Sequence, residues 1–115
     1  MRNDRRNVVA EKSVVFSPGI IRFTEVLEQD RKFVIAKQLL RSATSIGANI
    51  FEAQNAESKA DFIHKMKLAA KEASETEYWL LICEKSESYP FDPNLACHLE
   101  ELIRILSRII ATAKG

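Results

Sequence analysis

Glycine and proline are scarce, with three of each in 115 residues. That shortage excludes a sheet-rich fold with many tight connections, because hairpins and turns lean on these residues at fixed positions, and it excludes long Gly/Pro-rich linkers. Two cysteines, Cys83 and Cys97, are too few for a disulfide scaffold and show no zinc-ligand spacing, so both read as inert core thiols in a reducing compartment. No apolar run approaches the roughly 20 residues of a membrane span, and no membrane partner is expected. The polar opening Met1-Arg2-Asn3-Asp4-Arg5-Arg6 lacks the apolar stretch of a signal peptide, so a cytoplasmic protein with a flexible tail over residues 1–6 is expected. Charge of one sign is missing too. Lys plus Arg number 17 against 16 for Asp plus Glu, a net charge of +1, so attraction to nucleic acid has to come from local clustering.

What the chain has is hydrophobic residues (46%) and charged ones (29%), arranged so that apolar positions recur at alternating intervals of four and three. That rhythm is the mark of helices packing along a bundle seam. In the first segment Val9, Ser13, Phe16, Ile20, Phe23 and Leu27 hold it straight through Ser17-Pro18-Gly19. Pro18 either opens a helix capped by Ser17 or kinks one long helix; the unbroken phase favours the kinked helix. Asp30 is a candidate cap for a second helix with two adjacent stripes, Ile35, Leu39, Ser42, Ile46, Asn49, Ala53 and Ala36, Leu40, Ala43, Gly47, Ile50. Ser42, Ala43, Gly47 and Ala48 are small enough for a partner backbone to approach closely. Ser58 and Asp61 resemble a capping box ahead of a third seam, Phe62, Met66, Ala69, Ala73, Thr76, Leu80 and Cys83, which ends over Ser86 to Pro90. Asp92 with Pro93 at the first helical position starts a fourth, Leu95, Leu99, Leu102, Leu106, Ile109 and Ala113, widened by Ala96, Ile103 and Ile110. Residues 1–115 therefore read as one all-α domain, an antiparallel up-and-down four-helix bundle. The second stripes on helices 2 and 4, with Trp79 and Ile82 off the third seam, exceed what a monomer buries and predict a homo-oligomer.

The constellations that carry chemistry are missing. Di-iron bundles use Glu-x-x-His twice; here only Asp61-x-x-His64 comes near, once, and reads as a cap plus a surface histidine, while His98 has no ligand partner at suitable spacing. No Gly-rich phosphate loop occurs. No catalytic residue, metal or cofactor is expected, and an enzyme is the third-ranked reading. Two polar features remain. Arg41, Ser45, Asn49 and Glu52 follow at intervals of four, four and three along the second helix; they read as a buried polar network or subunit interface that fixes register, with a ligand site as the sharper alternative. Basic residues cluster as His64, Lys67 and Lys71 on one face of the third helix, as Lys37 and Arg41 on the second, and as Arg2, Arg5 and Arg6 at the start. Glu72, Glu75 and Glu77 nearby favour an ordinary solvated face. Yet Lys37, His64, Lys67 and Lys71, repeated around a ring, would multiply weak phosphate contacts.

The stretch from Gln38 to Ala53, QLLRSATSIGANIFEA, followed by Ser58-Lys59-Ala60-Asp61-Phe62-Ile63 and by Glu75-Thr76-Glu77-Tyr78-Trp79-Leu80, resembles the bacterial four-helix family named after proteins encoded in intervening sequences of the 23S ribosomal RNA gene. The likeness extends roughly from Val8 to Ile110. It implies an up-and-down bundle assembled as a ring-like homopentamer without enzymatic activity. The accessory variability determinant of diversity-generating retroelements is a related branch, and its resemblance implies binding of nucleic acid and of a nucleic-acid-processing protein through a basic surface; the near-neutral charge here departs from it. The family pattern often ends the second-helix motif with Glu-Gly, whereas this chain has Glu52-Ala53, so that helix is expected to run about a turn further. Two functions stand: an oligomeric binding module for RNA or a ribonucleoprotein, and a purely structural or protein-interaction assembly.

Overall fold

Each of the four apolar rhythms forms one helix. The computed structural model describes residues 4–115, with side chains from Val8 onward; it comprises α1 (Asp4–Gln29), α2 (Phe33–Ala53), α3 (Lys59–Lys85) and α4 (Pro93–Lys114), with no strand among the described residues. α1 begins at Asp4, inside the segment expected as a tail, while Met1 to Asn3 and the side chains of Arg2, Arg5 and Arg6 lie outside the described residues. Pro18 sits within α1, which is one continuous helix. Pro18 and Val14 both face solvent, so water can take the Val14 carbonyl that the missing proline N–H leaves without a helical partner. The six seam residues are all buried, and full burial of each large apolar one contributes about 1.5–3 kcal/mol, which outweighs the lost bond.

Consecutive helices run antiparallel, and the pairings show it. As α2 advances from Arg41 through Ser42 to Glu52, its partners on α3 retreat from Glu75 and Thr76 to Lys65. On α1, Lys12 pairs with Glu101 and Gly19 lies against Leu95 of α4. Each helix packs on its two neighbours in the cyclic order α1, α2, α3, α4, with the α2/α3 contact the most extensive. The result is a rod of 46 × 20 × 19 Å, in which helices of 21 to 27 residues span about 32–41 Å at about 1.5 Å per residue and the connections add the rest. No helix among the described residues is long and apolar enough to cross a membrane.

The helix ends obey local chemistry, in one case not the chemistry expected. Ser58 accepts the Asp61 N–H at 3.0 Å, and Asp61 accepts the Glu57 N–H at 3.1 Å. Asp92 accepts from the Asn94 N–H at 2.9 Å with Pro93 in the first turn. Asp30, however, does not cap α2. The chain leaves α1 through a left-handed Arg31 (φ 63) whose successor Lys32 donates its N–H to the Leu27 carbonyl at 2.8 Å. This is a Schellman closure without its usual glycine. It uses Asp30 in the last turn of α1 and makes Lys32 the N-cap, with no side-chain cap bond. Lys32 then sets its ammonium 4.8 Å from the Tyr89 ring centroid, tying this turn to the α3–α4 loop. α2 stops at Ala53, and Gln54 and Asn55 make a short turn instead of the extra helical turn that Glu52-Ala53 suggested. Glu57 and Ser58 are already committed to opening α3.

The apolar surplus lies largely elsewhere than expected, with Leu40 of the second α2 stripe the exception. The second stripe of α4 is partly buried against the core at Ile103 and Ile110, and Trp79 is partly buried too. Large apolar residues stay exposed instead on α1 (Val14, Val15, Ile21, Val26) and α2 (Phe33, Val34, Leu40, Phe51), with Tyr78 and Leu81 on α3. Cys83 is buried, and burial pushes its thiol pKa up. Cys97 is exposed, which corrects its reading as a core thiol.

Candidate nucleic-acid interface

The α2/α3 seam is built first from what it must hide. Ser42 and Thr76, both wholly buried, share a hydrogen bond of 2.9 Å, and Thr76 Oγ1 also reaches the Glu72 carbonyl at 2.8 Å. This polar tie at mid-seam favours one register of α2 and α3, because a shift by a residue would leave the Ser42 hydroxyl with only a 3.4 Å contact to the Leu39 carbonyl.

Just outside the tie, Arg41 donates to Glu75 and to both oxygens of Glu72 at 3.3 Å. The hydrogen bond that Arg41 donates to Glu75 chiefly holds the Arg41 pKa above its ordinary value, and the bonds from Arg41 and then Trp79 hold Glu75 below the usual carboxylate range. Trp79 Nε1 donates to Glu75 at 3.0 Å, and the Trp79 ring meets Tyr78 edge-on, centroids 5.1 Å apart at 68°. Further down, Glu52 accepts from Lys65 Nζ at 2.8 Å, which raises the Lys65 pKa.

The polar line of α2 is thus placed on one side of the helix, but its members do not bond to one another's side chains. Arg41 and Glu52 reach across to α3, whereas Ser45 donates to the Arg41 carbonyl at 2.7 Å and Asn49 Nδ2 to the Ser45 carbonyl at 2.9 Å. Ser45 and Asn49 satisfy themselves on their own helix, a habit of short polar side chains.

Of the basic candidates, His64, Lys67 and Lys71 are exposed along one outer line of α3, the two lysines about 6 Å apart as neighbours one turn on. None of the three makes a hydrogen bond or ion pair to any described residue, although the Lys71 charge is close enough to Glu75 to help lower its pKa. Lys37 is exposed as well but stands apart from them. Arg41 faces Glu75, so Lys37, one turn earlier on α2, is level with Trp79, one turn later on α3. That is about 12 Å along the bundle beyond Lys71. Asp61 is occupied as a capping acceptor, and among the described residues no three His, Cys, Asp or Glu come together to hold a metal.

Two features escaped the periodicity. One is Tyr78, 54% exposed on the same outer line as Lys67 and Lys71; its neighbour Trp79 drew notice only as surplus apolar surface. The other is a shallow groove of about 380 Å³ between α1 and α2, walled by Val14, Ile21 and Phe51 with Gly47 and Ala48 beneath. Its α1 wall, Val14 and Ile21, lies off the seam.

Comparison with known proteins fits this architecture. Among curated proteins, none matches the sequence. A crystal structure of a protein with unknown function from the S23 ribosomal protein family, from Bacteroides thetaiotaomicron VPI-5482, is 43% identical; the match covers 93% of this chain and 98% of that one, with a TM-score of 0.87. The family model described as 23S rRNA-intervening sequence protein matches residues 5–111. With that span and a shared four-helix fold, the chain belongs to the 23S rRNA-intervening sequence protein family.

Proposed function

We propose that this chain is a non-enzymatic cytoplasmic bundle that assembles as a ring-like homopentamer and presents the outer face of α3 to RNA or a ribonucleoprotein. The observation that carries the RNA reading is the separation of charge beside the α2/α3 seam. Glu72 and Glu75 are engaged by Arg41 and Glu52 by Lys65, which leaves His64, Lys67 and Lys71 as an outward line of donors. A neutral subunit can therefore still carry a basic face, and repetition around a ring adds phosphate contacts whose effects multiply. Two dissimilar surfaces support the ring: the apolar α1/α2 groove, and the glutamate-edged notch of Leu81 and Phe91 between α3 and α4. Head-to-tail contacts that close a ring use two different surfaces, whereas a two-fold dimer uses one surface twice.

The test is binding of a structured RNA over a salt series. Affinity is expected to fall linearly on a log–log scale, and Lys67→Glu with Lys71→Glu is expected to weaken it and flatten the slope by roughly one per lost contact. No binding at low salt sinks the RNA reading and leaves the assembly alone. Light scattering at micromolar concentration addresses the assembly, and a monomeric mass removes it.

A further inference from the structure

We propose that Tyr78 is a stacking platform for an unpaired nucleotide base, so that the nucleic acid taken by the α3 face is single-stranded at that point. This inference rests on the RNA reading above.

An exposed tyrosine on a helix is ordinary; an exposed tyrosine that is held in place is less so. Trp79 meets its ring edge-on, Trp79 is fixed by its Nε1 bond to Glu75, and Glu75 is fixed by Arg41. This chain of four side chains orients the ring of a residue that is still more than half exposed. A ring already ordered loses little freedom when a base lands on it, so more of the stacking energy appears as affinity.

The charges around it suit a phosphate backbone. Lys71 precedes Tyr78 by two turns on α3, about 10 Å by helical rise, and Lys37 stands level with Trp79 on α2. Two carboxylates on the α2 side of the ring that would repel phosphate, Glu72 and Glu75, are held by Arg41. Glu77 lies on the other flank, lining the notch with Leu80, Leu81, Glu84 and Glu100. Arg41 thus has two effects at one place: it orients the aromatic pair and neutralises the acid beside it. A duplex keeps its bases stacked on one another and offers no face to a tyrosine, whereas loops and single strands do.

The experiment measures binding of labelled oligouridylate and of a labelled RNA duplex by anisotropy, with the emission of Trp79, the chain's one tryptophan, as a second readout. Tyr78→Ala is expected to weaken oligouridylate binding roughly 5- to 150-fold, the worth of one stacked base, without changing the salt slope or duplex binding. Tyr78→Phe and Tyr78→Trp are expected to bind as the parent does, and oligouridylate to perturb Trp79 emission. If Tyr78→Ala binds oligouridylate unchanged while Lys67→Glu with Lys71→Glu still weakens it, the platform is refuted and the basic face stands. If the parent protein binds neither RNA at low salt, both fall together. If Tyr78→Ala lowers the mass by light scattering, the ring is a subunit contact and the platform is refuted.

Discussion

Replacing Thr76 by Val keeps the side-chain shape and removes a hydroxyl. The Ser42 Oγ, wholly buried, would then retain only a stretched 3.4 Å contact to the Leu39 carbonyl. Stranding a buried polar group costs about 1–3 kcal/mol, so Thr76→Val should destabilise by about 2 kcal/mol. Ser42→Ala is different, because Thr76 keeps its 2.8 Å bond to the Glu72 carbonyl; the expected loss is about 0.5–1.5 kcal/mol, partly offset by the better helix propensity of alanine. The double variant leaves no orphan and replaces both partners by apolar groups, which is close to neutral. It should therefore be more stable than Thr76→Val alone. Urea unfolding at one fixed protein concentration, chosen because assembly links stability to concentration, measures the cycle through shifts in midpoint at constant m. Additivity of the two single changes within about 0.5 kcal/mol would refute the claim that these hydroxyls depend on each other.

Two further outcomes follow from the same seams. A Cβ built on Gly47 meets Ser13 Cβ and Oγ at 3.5 and 3.4 Å, ordinary contact distances. Gly47→Ala should thus stabilise the fold by about 1 kcal/mol through helix propensity, and a lowered urea midpoint would show that α1 and α2 cannot admit a methyl group there. The folded-state pKa of Glu75 is depressed by Arg41 and Trp79. Its contribution to stability is present above the ordinary glutamate value of about 4.3 and is lost as pH falls through the lower folded value. The midpoint difference between the parent and Glu75→Gln should accordingly be present at neutral pH and shrink toward zero in acid; a difference that persists below the carboxylate range argues against the ion pair as its source.

Periodicity reports which residues share a helix face, and it does so well here: the seams of α1 and α3 are buried to the last residue. What it does not report is how far a neighbouring helix wraps around that face. The second stripe of α4 is covered by its neighbours while Val14 and Ile21 of α1, equally apolar and off the seam, are left bare. Cys97 was misplaced for another reason: it was read from its residue type, and it falls in neither apolar stripe of α4. Asp30 failed as a cap because the preceding helix competes for the same residues: the left-handed Arg31 closes α1, and the N-cap position passes to Lys32. The polar line of α2 was legible as a line but not as a set of bonds. Side chains one turn apart on a helix can each find a nearer partner, Ser45 and Asn49 in the backbone beneath them, Arg41 and Glu52 in the helix alongside.

Net charge is a sum, and the α2/α3 side shows why the sum misleads about binding. A carboxylate that holds a guanidinium 3.3 Å away still counts as one negative charge in the total, yet the pair presents little field to a ligand a Debye length off, about 8 Å at physiological salt. An exposed lysine that makes no ion pair counts the same as a paired one, yet more of its field reaches solvent. Arg41 converts an arithmetic neutrality into a spatial separation, with acids turned inward to it and lysines 67 and 71 turned outward. Arg41→Gln therefore carries a consequence that composition alone would get wrong. It removes a cation already occupied by two carboxylates, releases Glu72 and Glu75 beside Lys71, and frees the carboxylate that steadies Trp79. RNA affinity should fall at least as far as it does for loss of Lys71 itself.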